Sequence, residues 1–250
     1  TVGGDIQRAY GKIKDDNLDD VDYIIQGPAF DYQTRDNLTG LPVSDPNVKT
    51  TYAISKANYL LSLGEQVKHA MVLLSPPRHL AINPNSYRRN VNVTSLVNSE
   101  ITRALIEYTE QLRSSSYGVM DSGYKYQFDR FREKYMFVPM NADVAGTMAR
   151  TSLFSEPFFS PAGISRGQIN NVTRLAYDPA KDKRDLLFPA RINPICSFPG
   201  QGTVLYGDKT MLGYRSAFDR INVRKLFLYV EREIGKIARN VLFEFNDVVT

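Results

Sequence analysis

The chain has 250 residues, of which 42% are apolar and 11% aromatic, and a net charge of +4 at neutral pH. That composition supports a real hydrophobic core and excludes wholesale disorder. No run reaches the ~20 apolar residues of a membrane span, the first residues do not read as a signal peptide, and a single cysteine excludes an internal disulfide.

In chain order, residues 1–20 are polar and end in the acidic run DDNLDD, which reads as a lead-in from a missing N-terminal part. Val21–Ile25 predicts a short strand closed by Gly27-Pro28, and 31–50 a polar loop. Tyr52–Leu63 carries helical spacing and stops at Gly64, a plausible glycine terminator. The fully apolar Ala70–Leu74 predicts a strand buried on both faces. Residues 79–93 read as loop, followed by a helix capped by Thr94 and running to about Arg113. Tyr117–Met120 and Met136–Val138 read as strands flanking an aromatic and charged stretch, and a helix starts at Ala142. This alternation predicts an α/β layered core with a mainly parallel sheet over 21–155.

A Pro- and Gly-rich break over 151–168 suggests a boundary. The remainder, 156–250, is expected to be a smaller α+β C-terminal subdomain containing a long helix. It opens with a strand at Val172–Tyr177 and a charged helix at Pro179–Phe188. Two apolar runs, Ile192–Phe198 and Thr203–Tyr206, are separated by Pro199-Gly200-Gln201-Gly202 and followed by Gly207. They predict a tight hairpin or offset strand pair, with Pro199, Gly200, Gly202 and Gly207 supplying turn geometry. Ser216 is placed to cap the long helix, with Asp219 three positions on. Phe218, Ile221, Val223, Leu226, Val230, Ile234, Ile237, Val241 and Phe245 then draw one apolar stripe at helical spacing. Arg220, Arg224, Lys225, Arg232 and Lys236 lie largely off that stripe, which predicts a basic outer face.

Charge is divided unevenly. Residues 161–240 hold 14 Lys/Arg against 7 Asp/Glu, leaving 17 against 20 elsewhere. Such a bipolar chain can bind nucleic acid by one end, or stack on copies of itself.

Catalytic patterns are sparse. There is no phosphate-binding glycine loop leading into a helix, and no metal-ligand spacing, so no cofactor or metal is expected. His69, His79 and Ser75 are close in sequence, but Ser75 lacks a nucleophile-elbow setting. Cys196 reads as a buried small hydrophobe. The aromatic and basic stretch Tyr124–Tyr135 and the basic final helix keep a nucleic-acid-binding α/β module open as an alternative.

The run INPICSFPGQGTVLYGDKT, followed by SAFDRINVRKLFLYVEREI, resembles the C-terminal region of contractile phage tail sheath proteins. VDYIIQGPA, VPMNADVAGTMARTS and GISRGQINNVTRLAYDP resemble further parts of that family in the same order, so the likeness covers about residues 21–250. It implies a conserved core, trimmed before the C-terminal arm, whose first part has subtilisin-like topology without an evident triad. It further implies a structural subunit, not an enzyme. Copies would stack as hexameric rings around a tail tube, tied by terminal arms that add strands to a neighbour's sheet. Contraction would drive the tube through the host envelope. Implied partners are the subunit itself, the tail tube protein, and baseplate and tail terminator proteins, with no nucleic acid and no membrane insertion. The implied location is the virion, after assembly in the host cytoplasm. On this reading Arg220, Arg224, Lys225, Arg232 and Lys236 are expected to contact the tube or a neighbouring subunit.

Overall fold

The computed structural model describes residues 2–14, 21–29, 45–82 and 95–240. Its centre is a four-stranded parallel sheet in the order β1 (Tyr23–Ile25), β2 (Met71–Leu74), β3 (Gly118–Asp121), β8 (Ile192–Asn193). Strand β2 is buried along its whole length, as its unbroken apolar run predicts. Successive side chains of a strand point to opposite faces. Val72 and Leu74 therefore enter one core, with helices α2 (Pro46–Val67) and α4 (Ser95–Glu110) contributing Leu60, Leu61, Leu105 and Tyr108. Met71 and Leu73 enter a second core on the other face, with Val144 and Met148 of α5 (Asn141–Phe154) and Ile221 and Leu228 of α7 (Ile221–Asn240). The result is a three-layer α/β core with a mainly parallel sheet and a long helix on the C-terminal side. Strand β8 lies beyond the Pro/Gly break, so residues on both sides of that break build the central sheet. Helix α1 (Val2–Gly11) is tied on by Tyr10, whose hydroxyl donates to the Ile25 carbonyl at 2.8 Å.

Several elements depart from the sequence reading. Helix α2 starts earlier, because Asp45 accepts the Asn47 N–H and Pro46 fits the first turn. It also passes through Gly64 and stops at Lys68, which adopts the left-handed conformation at φ 62°. Gly64 serves close packing: a Cβ there would sit 2.7 Å from Val72 Cγ2 on β2. A short helix α3 (Arg78–Ala81) occupies part of the predicted loop. Thr94 and residues 30–44 lie outside the described residues.

The aromatic and charged stretch is a hairpin of β4 (Tyr124–Asp129) and β5 (Lys134–Pro139), extended by the short β7 (Arg174–Leu175). The predicted strand Val172–Tyr177 is thus only two residues long. Rings alternate along β4, and Tyr126 stacks on Tyr135 at 5.4 Å. Beyond β6 (Gln168–Ile169) and α6 (Lys181–Leu187), Pro194 splits the run Ile192–Phe198. Its first part joins the parallel sheet as β8, and the rest pairs as β9 (Ile195–Phe198) with β10 (Gly202–Leu205). Proline has no N–H for a ladder, so one apolar run feeds two sheets.

Candidate assembly interface

The turn Pro199–Gly202 closes the β9–β10 hairpin, and Gly200 and Gly202 have φ of 76° and 77°, a region side-chain-bearing residues enter at a cost. Gly207 acts differently. A Cβ there would meet Asn193 Oδ1 at 2.9 Å and Asn193 Cα at 3.1 Å. That close approach lets Asn193 Oδ1 accept the Lys209 N–H at 2.7 Å, while its Nδ2 donates to the Lys209 and Met120 carbonyls. The segment after Gly207 is thereby locked to β8, and it in turn holds the start of α7. The Ile221 N–H donates to the Asp208 carbonyl at 2.8 Å, and Arg220 pairs with the Asp208 carboxylate at 2.7 Å and with Asp219 at 3.5 Å.

Ser216 does cap, but it caps a 3-10 turn at Ala217–Asp219, accepting the Phe218 N–H. Arg220 is then extended before α7 begins. Asp219 pairs with Arg220 and Lys209 instead of completing a capping box.

Helix α7 faces the opposite way from its sequence reading. The side against the core carries Ile221, Lys225 and Leu228, with Arg224 and Arg232 beside them. Of the predicted apolar stripe, Ile221 is buried, Phe218, Val223 and Leu226 are half-buried, and Val230, Ile234 and Ile237 are exposed, Ile237 at 64%; Val241 and Phe245 lie outside the described residues, and exposed Phe227, off the predicted stripe, joins the outward face. The cations off the stripe are held inside or at the edge. Lys225, 7% exposed, donates to Ser152 Oγ at 2.9 Å and lies 5.9 Å from the Tyr23 ring centre. Burial pushes its ammonium down to about 8, with Asp22 opposing weakly. Arg224 donates to Ser116 Oγ and stacks between Tyr117 and Phe218. Arg232 pairs with Asp22 at 2.6 Å. Lys236, on the outer flank, pairs with Glu233 at 2.8 Å. Arg232 and Lys236 line a groove of about 250 Å³ between α7 and the end of α2, with Lys68 and Arg239 also in its wall. The sequence carries the signal for this outer surface, since the 3-and-4 spacing is real, but spacing alone does not say which side of the helix is covered.

The residues weighed for hydrolysis do not assemble. Ser75 Oγ donates to Asp121 Oδ2 at 2.5 Å and accepts the Asn141 N–H at 3.1 Å. His79 Nε2 bonds Thr50 Oγ1 at 2.8 Å. Asp121 is fully buried, and burial raises its carboxyl to about 8 against the opposing hydrogen bonds from Ser75 and Gly123. This polar group joins the carboxyl ends of β2 and β3 to the start of α5. Cys196 is a free, fully buried thiol, which burial pushes up to about 11.

Comparison with known proteins places this architecture. Residues 29–211 match the phage tail sheath protein central domain. The tail sheath protein of Vibrio phage KVP40 is 40% identical over 192 residues, 76% of this chain and 28% of that protein. That of Enterobacteria phage T4 is 34% identical over 249 residues, 100% of this chain and 35% of that protein. The chain therefore spans about a third of the length of these relatives. Among solved structures, the contracted helical sheath of the anti-feeding prophage matches with a TM-score of 0.56 at 20% identity, over 80% of this chain and 46% of that one. The contracted sheath complex of an extracellular contractile injection system, PVC, matches at 0.53 and 17%, over 75% and 47%. At such identities these two structures share the fold, while the family itself rests on the sequence matches. The chain belongs to the phage tail sheath protein family.

Proposed function

We propose that this chain is the core of a subunit that polymerises as stacked hexameric rings around a phage tail tube and contracts to drive the tube through the host envelope. The observation that carries this reading is family membership over residues 29–211. The physics of α7 supports it. A helix that turns Phe227, Val230, Ile234 and Ile237 to solvent leaves a contiguous apolar ridge, and such ridges mark surfaces that meet another surface. The parallel sheet and two cores beneath it supply a stiff body. Contraction of such an array needs no covalent chemistry: two packings of the same subunits differ in free energy, and a trigger releases the higher one.

The contact surface of α7 is that ridge, with the partly exposed cations Arg220 and Lys236 adding charge at its margin. Arg224, Lys225 and Arg232 hold the helix from the core side. The partners of the assembly are further copies, the tube protein, and baseplate and terminator proteins at its ends. The work is mechanical, and the location is the virion.

The test is electron microscopy of a full-length sheath protein carrying this core, beside the 250-residue chain. Striated tubes or long hollow polymers from the full-length protein are expected. A full-length protein that stays monomeric at high concentration, with or without tail tubes, would end the sheath reading, and DNA titration would then test the nucleic-acid alternative.

A further inference from the structure

A second cleft lies away from α7. It has a volume of about 730 Å³ and sits at the carboxyl end of β1, between α3, strand β5 and the start of α5. Its walls are mainly apolar, with Ile82, Met136 and Val138 among them; no carboxylate among the described residues lines it, although Asp129, outside the lining, lies 3.9 Å from Arg132. Lys49, Arg78 and Arg132 bring positive charge to it. At its edge Asn141 is 1% exposed, and its Oδ1 accepts no hydrogen bond from the described residues. The cleft suits an apolar anchor with an adjacent negative charge and a donor group.

Among the described residues the most exposed large apolar groups are Phe131, Phe154, Leu153 and Tyr214, followed by Ile237 and Ile234 of the α7 ridge; Tyr214 sits beside Arg215, a charge of the cleft's own sign. Phe131, fully exposed at the β4–β5 tip, sits between Arg130 and Arg132, so its charge matches the cleft's and repels. The α7 ridge from Phe227 to Ile237 is about 15 Å long at 1.5 Å per residue, a broad surface and not a plug. The end of α5 is different. Leu153 and Phe154 are adjacent, 80% and 84% exposed, and exposed Glu156 follows.

We propose that Leu153 and Phe154 of one copy seat in this cleft on a second copy, with Glu156 facing Arg132 and its neighbouring cations. Knob and cleft lie at opposite ends of α5, about 20 Å apart for a 14-residue helix. The contact is therefore head to tail. Each copy keeps one free knob and one free cleft, and repetition yields a ring or a helical filament, according to the rotation between copies. The inference rests on the sheath reading only in that copies must meet in bulk; the surfaces themselves are drawn from this chain.

The test is photo-cross-linking with Phe154→benzoylphenylalanine in the 250-residue chain. Because position 154 is exposed, the fold is unaffected, which a thermal melt checks. The expected result is a covalent dimer whose cross-linked peptide contains Ile82 or Met136–Ala142. Adding Glu156→Lys to the labelled chain lowers the dimer yield about tenfold, and a partner carrying Arg132→Glu restores it. A cross-link to any other surface, no dimer, or a yield indifferent to Glu156→Lys overturns the contact. Full-length protein that forms tubes while cross-linking elsewhere would leave the sheath reading standing and remove only this contact.

Discussion

Replacing Lys225 with methionine tests whether α7 is held by its cations or in spite of one of them. The ammonium is 7% exposed, donates to Ser152 Oγ, and is pushed from its usual 10.5 to about 8 by burial. The drop from 10.5 to about 8 corresponds to about 3 kcal/mol. That is the net penalty on the charged form after its hydrogen bonds are counted. Methionine has similar length and no charge, and Ser152 Oγ keeps its own bond to the Met148 carbonyl at 3.0 Å. Lys225→Met is therefore expected to stabilise the fold by about 1–3 kcal/mol at pH 7, a replacement of buried charge by packed apolar volume. The pH dependence gives an independent check. The folded-state value lies below the unfolded one, so between pH 8 and 10.5 the unfolded chain binds the extra proton. Wild-type stability gains from this residue as pH rises through that window, and the variant lacks that gain. Its advantage shrinks as pH approaches 10. Tyr23, raised to about 12 chiefly by burial, works in the opposite sense only above its ordinary 10, so the measurement stays below that. Urea denaturation followed by circular dichroism at pH 7, 8.5 and 9.5 reads both effects. A variant less stable than wild type by more than about 1 kcal/mol at pH 7, with a difference constant across pH, would show that the bonds outweigh the desolvation and refute the reasoning.

Asp121→Asn probes the buried carboxyl. Its folded-state value is raised to about 8, so the stability it contributes is complete below the ordinary carboxylate range and is lost as pH rises through about 8. The asparagine variant lacks that loss, and its stability relative to wild type is expected to climb between pH 4 and 8 in parallel denaturation curves. Gly64→Ala brings a Cβ to 2.7 Å from Val72 and is expected to cost about 1–3 kcal/mol, whereas Gly235→Ala on α7 meets nothing within 4 Å and is expected to gain about 0.5–1 kcal/mol; paired thermal melts decide. Ile234→Lys changes an exposed position, so the fold should shift by less than about 0.5 kcal/mol, while tube formation by the full-length protein is lost. Unchanged tubes would remove the α7 ridge from the assembly surface.

The sequence by itself determined the elements whose signals are local. The unbroken apolar run at Met71–Leu74 required a strand with both faces covered, and the glycines at 200 and 202 required the hairpin turn, because each rests on the chemistry of a few adjacent residues. The family was legible in the same way, in words such as PGQGT and AFDRINVR. Strand β4 escapes the sequence reading: Tyr124, Tyr126 and Phe128 alternate as a strand requires, but the interleaved charges make the stretch read as a solvated loop or interface. Tertiary structure decided what depends on distant residues. Gly64 continues a helix because β2 presses against it, and Pro194 divides one run between two sheets because Met120 and Val204 pair on either side of it. The orientation of α7 is the clearest case. A 3-and-4 spacing proves that a helix has an apolar stripe, but it carries no statement of which surface the stripe meets. Tyr117, Phe218 and Ser152 lie where aliphatic stems and cationic heads can be satisfied, so Arg224 and Lys225 turn inward. The apolar stripe is left for a surface beyond this chain, which no pattern within the chain could announce.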